Sequence, residues 1–506
     1  MKNKKILSLL VFVVASSTLI LSCKKLDQNV YSVVPIQNFY KTPDEIAAGL
    51  APAYAALTPL QTENVFQMNE ASTDEMVIPT RGNDWYDGGE HTQLWQHTYD
   101  ANNANVNGGW QDLSNGITKC NFIINVINGL SPAPANAAAI VAEISVLRDY
   151  YLFYMMDIYG NIPLVTTYSA TASLAPVSRA NVYTYLITDL QKNVPLLTTD
   201  NATANPAIYG HMNQWAGDML LAKLYLNAQV YTGTADWLNA KKYADLVIAS
   251  NKYSLQPNFF DNFTYTNRGS VENIFTIPFN YPLIPGNVIE MYTLNYNNNQ
   301  TFNLTAQPYN GFCAPTAFYK SFADNDVRKK MWLVGQQFTS TGAQIPGITL
   351  SPYVLQLSNP ADSFKYAGAR SIKYQPQPGT GNAGTSNDGV RFRLADAYMM
   401  SAEAALRSGD AVGALTNVNL IRARAGLPAL TSITLDQLLA ERGWEFAWEG
   451  WRRNDLIRFE VASGTKYYTG ARVPGKDADA DTHTFLYPIP QPQINTNPLL
   501  KQNTGY

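Results

Sequence analysis

The fold of this chain is decided between Arg391 and Phe459, where the sequence reads RFRLADAYMMSAEAALRSGDAVGALTNVNLIRARAGLPALTSITLDQLLAERGWEFAWEGWRRNDLIRF. Apolar residues recur every three or four positions over Arg391–Ser408, which predicts the first of three helices. Gly409 can adopt the left-handed conformation that ends this helix, and Gly426 ends the second helix in the same way. The stretch therefore reads as successive short helices joined by tight turns.

The third helix of this stretch begins at Thr434, which together with Gln437 has the spacing of a capping box. Small residues on the first two helices allow close packing, and the pair looks like a tetratricopeptide-type hairpin. Such a hairpin cannot bury its apolar face alone and needs stacked neighbours. A second pair, over residues 212–231 and 237–250, repeats the spacing of small and apolar residues. The sequence therefore predicts a mostly α-helical scaffold of stacked repeats.

The composition favours a protein that meets neutral polar ligands. The chain has 506 residues, of which 15% are charged and 12% are aromatic, and its net charge is −3. This length usually means several domains, although an array of helical repeats can grow by stacking. The charge gives no reason to expect a nucleic-acid partner. The many tyrosines suit a ligand surface, but most of them can equally fill helix interfaces.

The N-terminus has the pattern of a lipoprotein signal peptide over residues 1–22. Lysines at positions 2, 4 and 5 precede the apolar run Ile6–Val14, which is too short and too early for a membrane span. A small residue precedes Cys23, so Cys23 is predicted to carry the lipid and to anchor the mature chain through acyl chains such as palmitate. Cleavage without lipid attachment is the alternative. Cys120 and Cys313 are expected to be buried free thiols rather than a disulfide.

Changes in composition and in hydrophobic periodicity along the sequence divide the chain into five segments. The helical parts are expected to form the scaffold, and Asn273–Phe279 and Ser371–Tyr374 are predicted as short β-strands. Residues Pro376–Gly389 are predicted to be a mobile surface loop. The segments are the signal peptide 1–22, the lipidated cysteine and tether 23–43, a helical-repeat region 44–251 with an inserted ligand loop 70–109, a loop-rich polar and aromatic lobe 252–389, and a C-terminal region 390–506.

The sequences of three segments resemble those of the SusD/RagB family of nutrient-binding outer-membrane lipoproteins. The first lies in the opening stretch, as FRLADAYMMSAEAALRSGD, NLIRARAGLP and LLAERGWEFAWEGWRRNDLIRF. The second is LRDYYLFYMMDIYGNIPLV at 147–165, and the third is the ending YPIPQPQINTNPLLKQNTGY at 487–506. The resemblance implies a SusD-like fold, in which a tetratricopeptide-like scaffold carries a large irregular lobe with short β-strands.

The same resemblance implies a location and a partner. A SusD-like chain would be tethered to the outer membrane, facing the cell exterior. There it would cap a SusC-like partner, a TonB-dependent β-barrel transporter. The helical repeats would supply the rigid face that docks on the barrel, while the lobe and the loop 81–97 would face the ligand.

The richest candidate site is the loop 81–89, which reads RGNDWYDGG. A sugar ring offers a C–H face that can lie on an aromatic ring, and hydroxyl groups that need paired donors and acceptors. Trp85 can alternatively anchor the loop to the helices, as is expected for Trp95 and Trp110. The predicted ligand contacts are stacking by Trp85 and Tyr86, hydrogen bonding by Arg81, Asn83 and Asp84, and a second aromatic platform from Tyr292 and Tyr296.

Three carboxylates, Glu441, Glu445 and Glu449, recur at i, i+4 spacing. Glycoside hydrolases need a pair of carboxylates. Here the neighbouring arginines favour instead an ion-pair lattice that holds the helix in place. The sequence therefore predicts no catalytic residue.

The histidines and acidic residues of the candidate loop do not predict a metal site. His91 and His97 lie six residues apart, which is poor spacing for zinc. Asp84, Asp87 and Glu90 could bind calcium, but they do not follow the EF-hand pattern. No phosphate-binding or dinucleotide motif is present, so we expect no cofactor.

The leading hypothesis is a non-catalytic surface lipoprotein that binds an oligosaccharide and delivers it to the partner transporter. One alternative is a peptide- or protein-binding helical-repeat lipoprotein of the same uptake type. Another is a glycoside hydrolase. The sequence does not distinguish one glycan from another, because that choice depends on hydrogen-bond geometry set by loops.

Overall fold

The computed structural model describes residues 39–168 and 173–506. The chain divides into two units, Met1–Ile46 and Ala47–Tyr506, and of the first unit only residues 39–46 are described. The predicted signal peptide and the predicted lipid attachment at Cys23 lie outside the described residues and stay predictions. In the described residues, every helix is too short or too polar to cross a bilayer.

Helices dominate the described residues, as the sequence predicts. They are α1 Pro43–Ala55, α2 Asn64–Glu70, α3 Glu90–Gln96, α4 Ala104–Gly129, α5 Ala137–Tyr159, α6 Arg179–Asn193, α7 Gln214–Leu226, α8 Ala228–Thr232, α9 Trp237–Ala249, α10 Ile289–Thr293, α11 Asn298–Phe302, α12 Thr316–Ser321, α13 Leu394–Arg407, α14 Ala411–Arg424, α15 Leu435–Phe446, α16 Arg452–Ser463 and α17 Gln491–Thr496.

The predicted helical hairpins are confirmed and stack on one another. Helix α4 packs on α5 and α5 on α6, while α7 packs on α9 and α13 packs on α14. The last two pairs are the hairpins predicted from their small-residue spacing. They meet directly because α9 packs against α13. Each hairpin thereby covers an apolar face that it could not bury alone.

The opening stretch has one more helix than predicted. The side chain of Asp410 caps α14 through the backbone N–H of Gly413 (2.8 Å), and the predicted capping box at Thr434 is present at the start of α15. Beyond α15 the chain breaks, since Trp448 (φ 58°) and Gly450 (φ 84°) have left-handed backbone conformations, and α16 follows. The prediction of three helices was therefore wrong at this break.

The strands are short and pair across long sequence distances. Arg391 to Arg393 belong to a strand, not to the predicted helix, because this segment pairs in antiparallel register with residues 273–277. The strands are β1 Thr80–Arg81, β2 Asn273–Ile277, β3 Trp332–Leu333, β4 Gly335–Phe338, β5 Gln344–Leu350, β6 Ser358–Asn359, β7 Arg370–Ser371 and β8 Gly389–Arg393. They form the two-stranded sheets β1–β6 (parallel), β2–β8, β3–β7 and β4–β5 (antiparallel).

Two segments that were predicted as loops differ from the prediction: one contains helix, and the other contains fully buried residues. The loop 70–109 contains all of α3 and the start of α4, whose first amides bond to the side chain of Asn103. The segment 376–389 was predicted to lie on the surface, but Asn387 and Asp388 are fully buried. The Asn387 side chain donates to the carbonyl of Phe263 (2.7 Å), so this segment is fixed from within.

The smaller side-chain predictions for the core are confirmed. Cys120 and Cys313 are buried free thiols. Trp95 is buried, with its indole N–H bonded to the carbonyl of Pro474 (2.6 Å). Trp110 is also buried, in a T-shaped contact with Tyr159. Trp95 and Trp110 therefore serve the packing, as expected.

The predicted ion-pair lattice is present and buried. Glu441 and Glu445 lie on α15, whereas Glu449 lies in the break after it, so the three carboxylates do not share one helix face. All three are at most 3% exposed. Since each is neutralised by cationic side chains, the arrangement is that of a structural lattice. The partners are Arg328 and Arg422 for Glu441, Arg328, Arg393 and Arg424 for Glu445, and Lys373 and Arg393 for Glu449.

Candidate ligand-binding site

The loop after β1 turns sharply and presents its polar tip to solvent. The backbone N–H of Arg81 donates to the carbonyl of Asp84 (2.9 Å), and the reverse bond is 3.2 Å. Gly82 and Trp85 have positive φ angles of 67° and 61°, which this tight turn requires. As a result Asn83, Asp84 and Tyr86 are exposed.

The two aromatic patches predicted from sequence lie against each other. The Trp85 and Tyr292 rings make a T-shaped contact with centroids 5.6 Å apart. The Tyr296 hydroxyl donates to the carboxylate of Asp84, across 212 positions of sequence. Tyr292 belongs to the short helix α10, which places it beside the loop. The structure therefore joins the loop 81–89 and residues 292–296 into one surface.

Trp85 is both an anchor of the loop and a half-exposed ring. Its indole N–H donates to the carbonyl of Tyr309 (2.7 Å). One part of the ring lies so close to Gly311 that a β-carbon there would be 2.3 Å away. Trp85 is nevertheless only half-buried, so part of the residue stays accessible to solvent. The structure therefore confirms that Trp85 anchors the loop, and ligand stacking by Trp85 stays a prediction.

Arg81 does not take part in this surface. Arg81 is 1% exposed, and its guanidinium donates to the carbonyl of Phe364 (2.6 Å) and to the Sγ of Cys313 (3.3 Å). The prediction that Arg81 hydrogen-bonds a ligand was therefore wrong. Its side chain points into the core and supports the start of the loop from below.

Two neighbours of the surface were missed by the sequence reasoning. The Tyr309 ring lies 5.8 Å from that of Tyr292, and its hydroxyl donates to the exposed side chain of Asn382 (3.0 Å). Glu63 accepts a hydrogen bond from the Tyr292 hydroxyl (2.9 Å), and burial raises the pKa of this carboxyl. The Pro and Gly residues around Tyr309 were a usable loop signal, whereas nothing in the sequence singled out Glu63.

The assembled surface suits a ligand with both ring faces and hydroxyl groups. We name it the aromatic surface and define it by Trp85, Tyr86, Tyr292, Tyr296 and Tyr309 with the polar side chains Asn83, Asp84 and Asn382. Tyr86 is 61% exposed, so its ring is available for stacking. Amide, carboxylate and phenol groups beside such rings can donate to and accept from sugar hydroxyls.

The histidines near the loop are engaged by protein groups. His91 lies 3.3 Å from the carboxylate of Asp87. Burial lowers the pKa of His97 to about 3. Its Nδ1 can donate to the Asp479 carboxylate (2.7 Å) while its Nε2 accepts from the guanidinium of Arg472 (2.8 Å). Within the described residues, no group of three or more His, Cys, Asp or Glu side chains is arranged to hold a metal ion.

Glu290 connects α10 to the segment 376–389, which carries Asn382. Its carboxylate accepts bonds from the Thr380 hydroxyl (2.8 Å) and from the backbone N–H of Gln377 (3.1 Å). Burial raises the pKa of Glu290 to about 7, although these two bonds oppose the rise. The folded chain therefore holds a proton here that the unfolded chain releases near its ordinary pKa.

We expect the Glu290 carboxyl to lower the free energy of unfolding as pH rises from about 4.5 to about 7, because the folded state binds more protons over that range. The loss is on the order of 3 kcal/mol. The Glu290→Gln variant should lack this loss, as measured by urea denaturation at both ends of the range. If the free energy of unfolding changes with pH in the same way in Glu290→Gln and in wild type, the raised pKa of Glu290 is contradicted. The exposed Asp362→Asn variant is the control, and it should keep the wild-type slope.

Two family models and several known proteins match this chain. The model described as "SusD family" matches residues 248–506, and the model described as "Starch-binding associating with outer membrane" matches residues 26–226. The starch-binding protein SusD of Bacteroides thetaiotaomicron is 26% identical over 491 residues, covering 87% of this chain and 85% of that protein. A SusD-like protein of Bacteroides ovatus is 23% identical over 522 residues, covering 88% and 90%.

Solved structures of other proteins have a fold similar to that of this chain. Surface glycan-binding protein A from Bacteroides uniformis has a TM-score of 0.76 at 20% identity, covering 91% of this chain and 99% of that one. Surface glycan-binding protein A from Bacteroides thetaiotaomicron in complex with laminarihexaose has a TM-score of 0.73 at 22% identity, with the same coverage. At these identities the likeness shows the fold, and it confirms the predicted mostly α-helical architecture.

Proposed function

The chain belongs to the SusD family, and from that premise we propose that it is a non-catalytic outer-membrane lipoprotein that binds a glycan. We further propose that it delivers the glycan to a SusC-like TonB-dependent transporter. The observation that carries the proposal is the aromatic surface. Names of its relatives include starch-binding and laminarihexaose-bound proteins, which supports a glycan as the ligand class.

The chemistry of the aromatic surface favours capture rather than turnover. Stacking rings hold the C–H faces of sugars, and the exposed Asn83 and Asp84 offer hydrogen bonds at the rim. The carboxylate cluster that could have suggested hydrolysis, Glu441 to Glu449, is buried in salt bridges and is committed to the fold. A carrier must also release its cargo, so binding of moderate affinity is expected.

The anchoring and the docking of the chain are supported by separate features. Cys23, at the end of a signal-like segment, would carry the lipid, and a matching family model is described as associating with the outer membrane. The stacked hairpins α7/α9 and α13/α14 offer a rigid face, which suits a lid that must hold its position on a barrel. The aromatic surface is built by loops, so binding and docking use different parts of the chain.

Calorimetry of the purified mature protein with laminarihexaose and maltohexaose, preceded by a glycan array, tests this proposal. We expect binding to at least one glycan and no new reducing ends after prolonged incubation. Release of shorter products would contradict the non-catalytic role. Binding to a peptide library together with failure on the whole glycan array would favour the peptide-uptake alternative instead.

The Tyr86→Ala variant should bind the glycan more weakly, by about fivefold to tenfold, because one exposed stacking ring is removed. Tyr86 makes little packing contact at 61% exposure, so the thermal stability should not change. Tyr353→Ala is the matched control, since Tyr353 is an exposed tyrosine (48%) outside the aromatic surface. Equal losses in both variants would argue against a specific role for Tyr86.

A further inference from the structure

A cavity lies away from the aromatic surface and shares no residue with it. Its volume is about 730 Å³, within the range of small-molecule sites. One face of α4 forms its floor through Trp110, Ser114 and Thr118, together with Met155 from α5. The walls are the segments 163–167 and 173–174, together with residues of α17 and the C-terminal residues that follow it.

Buried and half-buried polar side chains hold both walls in place. Asn121 donates to the carbonyl of Val165 (2.9 Å), and Arg148 donates to the carbonyl of Thr166 (3.1 Å). On the other wall, Asn497 donates to the carbonyl of Leu174 (2.9 Å). Within the described residues, these bonds fix the lining segments to the helices beneath them and to each other, which reduces the cost of ordering them on binding.

The lining of the cavity is neutral but rich in hydroxyl groups. Among the described residues that line it, none is charged. Several of its hydroxyl groups make no hydrogen bond to the described part of the chain, so they are free to act as donors and acceptors. Apolar side chains lie between them. The unpaired hydroxyls belong to Ser114, Thr118, Thr166, Thr167 and Ser173.

An exposed aromatic pair lies next to this lining. Phe122 is one helical turn beyond Thr118 on α4, and Tyr168 follows Thr167 directly in the chain. Their rings make a T-shaped contact at 5.2 Å and are 39% and 49% exposed. Exposed rings beside unpaired hydroxyls and without charge fit a neutral hydroxylated ring better than an anion or a purely apolar ligand.

We propose that this cavity, which we name the α4 groove, is a second carbohydrate-binding site. The inference rests on the proposed glycan-binding function for the class of ligand and deepens it. A second point of attachment on one chain would retain a long glycan more strongly than either site alone, since the second contact forms at a high effective concentration. The α4 groove would thus bind a neutral oligosaccharide segment.

The test measures calorimetric binding of laminarihexaose and maltohexaose to the mature protein and its variants. In the Trp85→Ala/Tyr86→Ala double variant, we expect weaker binding to remain. Adding Thr118→Arg, which places a bulky charge in the α4 groove at an exposed position, should abolish it. The matched control is Thr188→Arg, the same change at an exposed threonine on α6, and it should leave the remaining binding intact.

Hydrogen–deuterium exchange gives an independent readout of the same site. We expect either probe to protect the peptide around Ser114 and Thr118, and Thr118→Arg to remove that protection. Loss of all binding in the double variant would overturn the second site while the proposed function stands. Absence of binding to wild type would overturn both. A Thr118→Arg variant that binds both glycans normally but no longer joins its transporter would assign the groove to a protein contact.

Discussion

The Glu445→Gln variant is expected to have a free energy of unfolding about 3–5 kcal/mol lower than wild type. Glu445 is fully buried and forms salt bridges with Arg328 (3.0 Å), Arg393 (2.5 Å) and Arg424. Glutamine keeps the shape but removes the charge, so three guanidinium groups lose a shared counter-ion inside the protein. The cost is large because these cations cannot regain water without opening the packing of α15.

Urea denaturation at neutral pH measures this effect, and Asp362→Asn is the control. Asp362 is 92% exposed and pairs with Lys365 at 3.0 Å, an arrangement worth at most about 1 kcal/mol. A loss in Glu445→Gln no larger than that of the control would refute a structural lattice. Raised salt should leave the Glu445 effect almost unchanged, since a buried pair is screened much less than an exposed one.

Because of the ion pairs of Glu445, we also expect the free energy of unfolding to fall in acid. Burial alone would raise the pKa of Glu445, but Arg424, Arg393 and Arg328 outweigh it and hold the pKa well below its ordinary value. The folded state therefore binds fewer protons at this site than the unfolded state. The stability it contributes is complete above the ordinary carboxyl pKa and falls as pH decreases below it.

The helical part of the fold could be predicted because its signals are local. Periodicity, the left-handed glycine at 409 and the capping box at Thr434 each operate within a few residues, and all three are present. The segment Arg391–Arg393 could not be placed correctly, since its partner strand starts at Asn273. A three-residue continuation of a helical pattern gives no sign that a distant strand will compete for it.

The aromatic residues of the candidate surface could be predicted from the sequence, whereas the polar residues around them could be predicted only in part. Trp85 and Tyr292 stood out by composition, and their contact follows from the fold rather than from either segment. Arg81 was misplaced because Phe364 and Cys313, which hold its guanidinium, are far away in sequence. Glu63 could not be found, since a single acidic residue before a helix is usually a solvent-exposed residue with no specific role.

We expect Trp85→Ala to weaken glycan binding by about 30-fold or more, which corresponds to about 2 kcal/mol for a central aromatic contact. Trp85 is the ring that joins the loop 81–89 to Tyr292 and Tyr309, so its removal takes away a stacking face and frees the loop. Trp85→Phe should lose less, because a ring remains although the bond to the Tyr309 carbonyl is gone.

Binding must be separated from folding in this variant, since Trp85 also packs on Gly311. Trp237→Ala provides the comparison: Trp237 is likewise half-buried but lies on α9, with Arg407 over its ring. We expect both alanine variants to lose thermal stability and only Trp85→Ala to lose glycan affinity. Wild-type affinity in Trp85→Ala would remove Trp85 from the site and leave Tyr86 and Tyr296 as its platform. Weakened binding in both variants would instead mean that the affinity reports the stability of the scaffold.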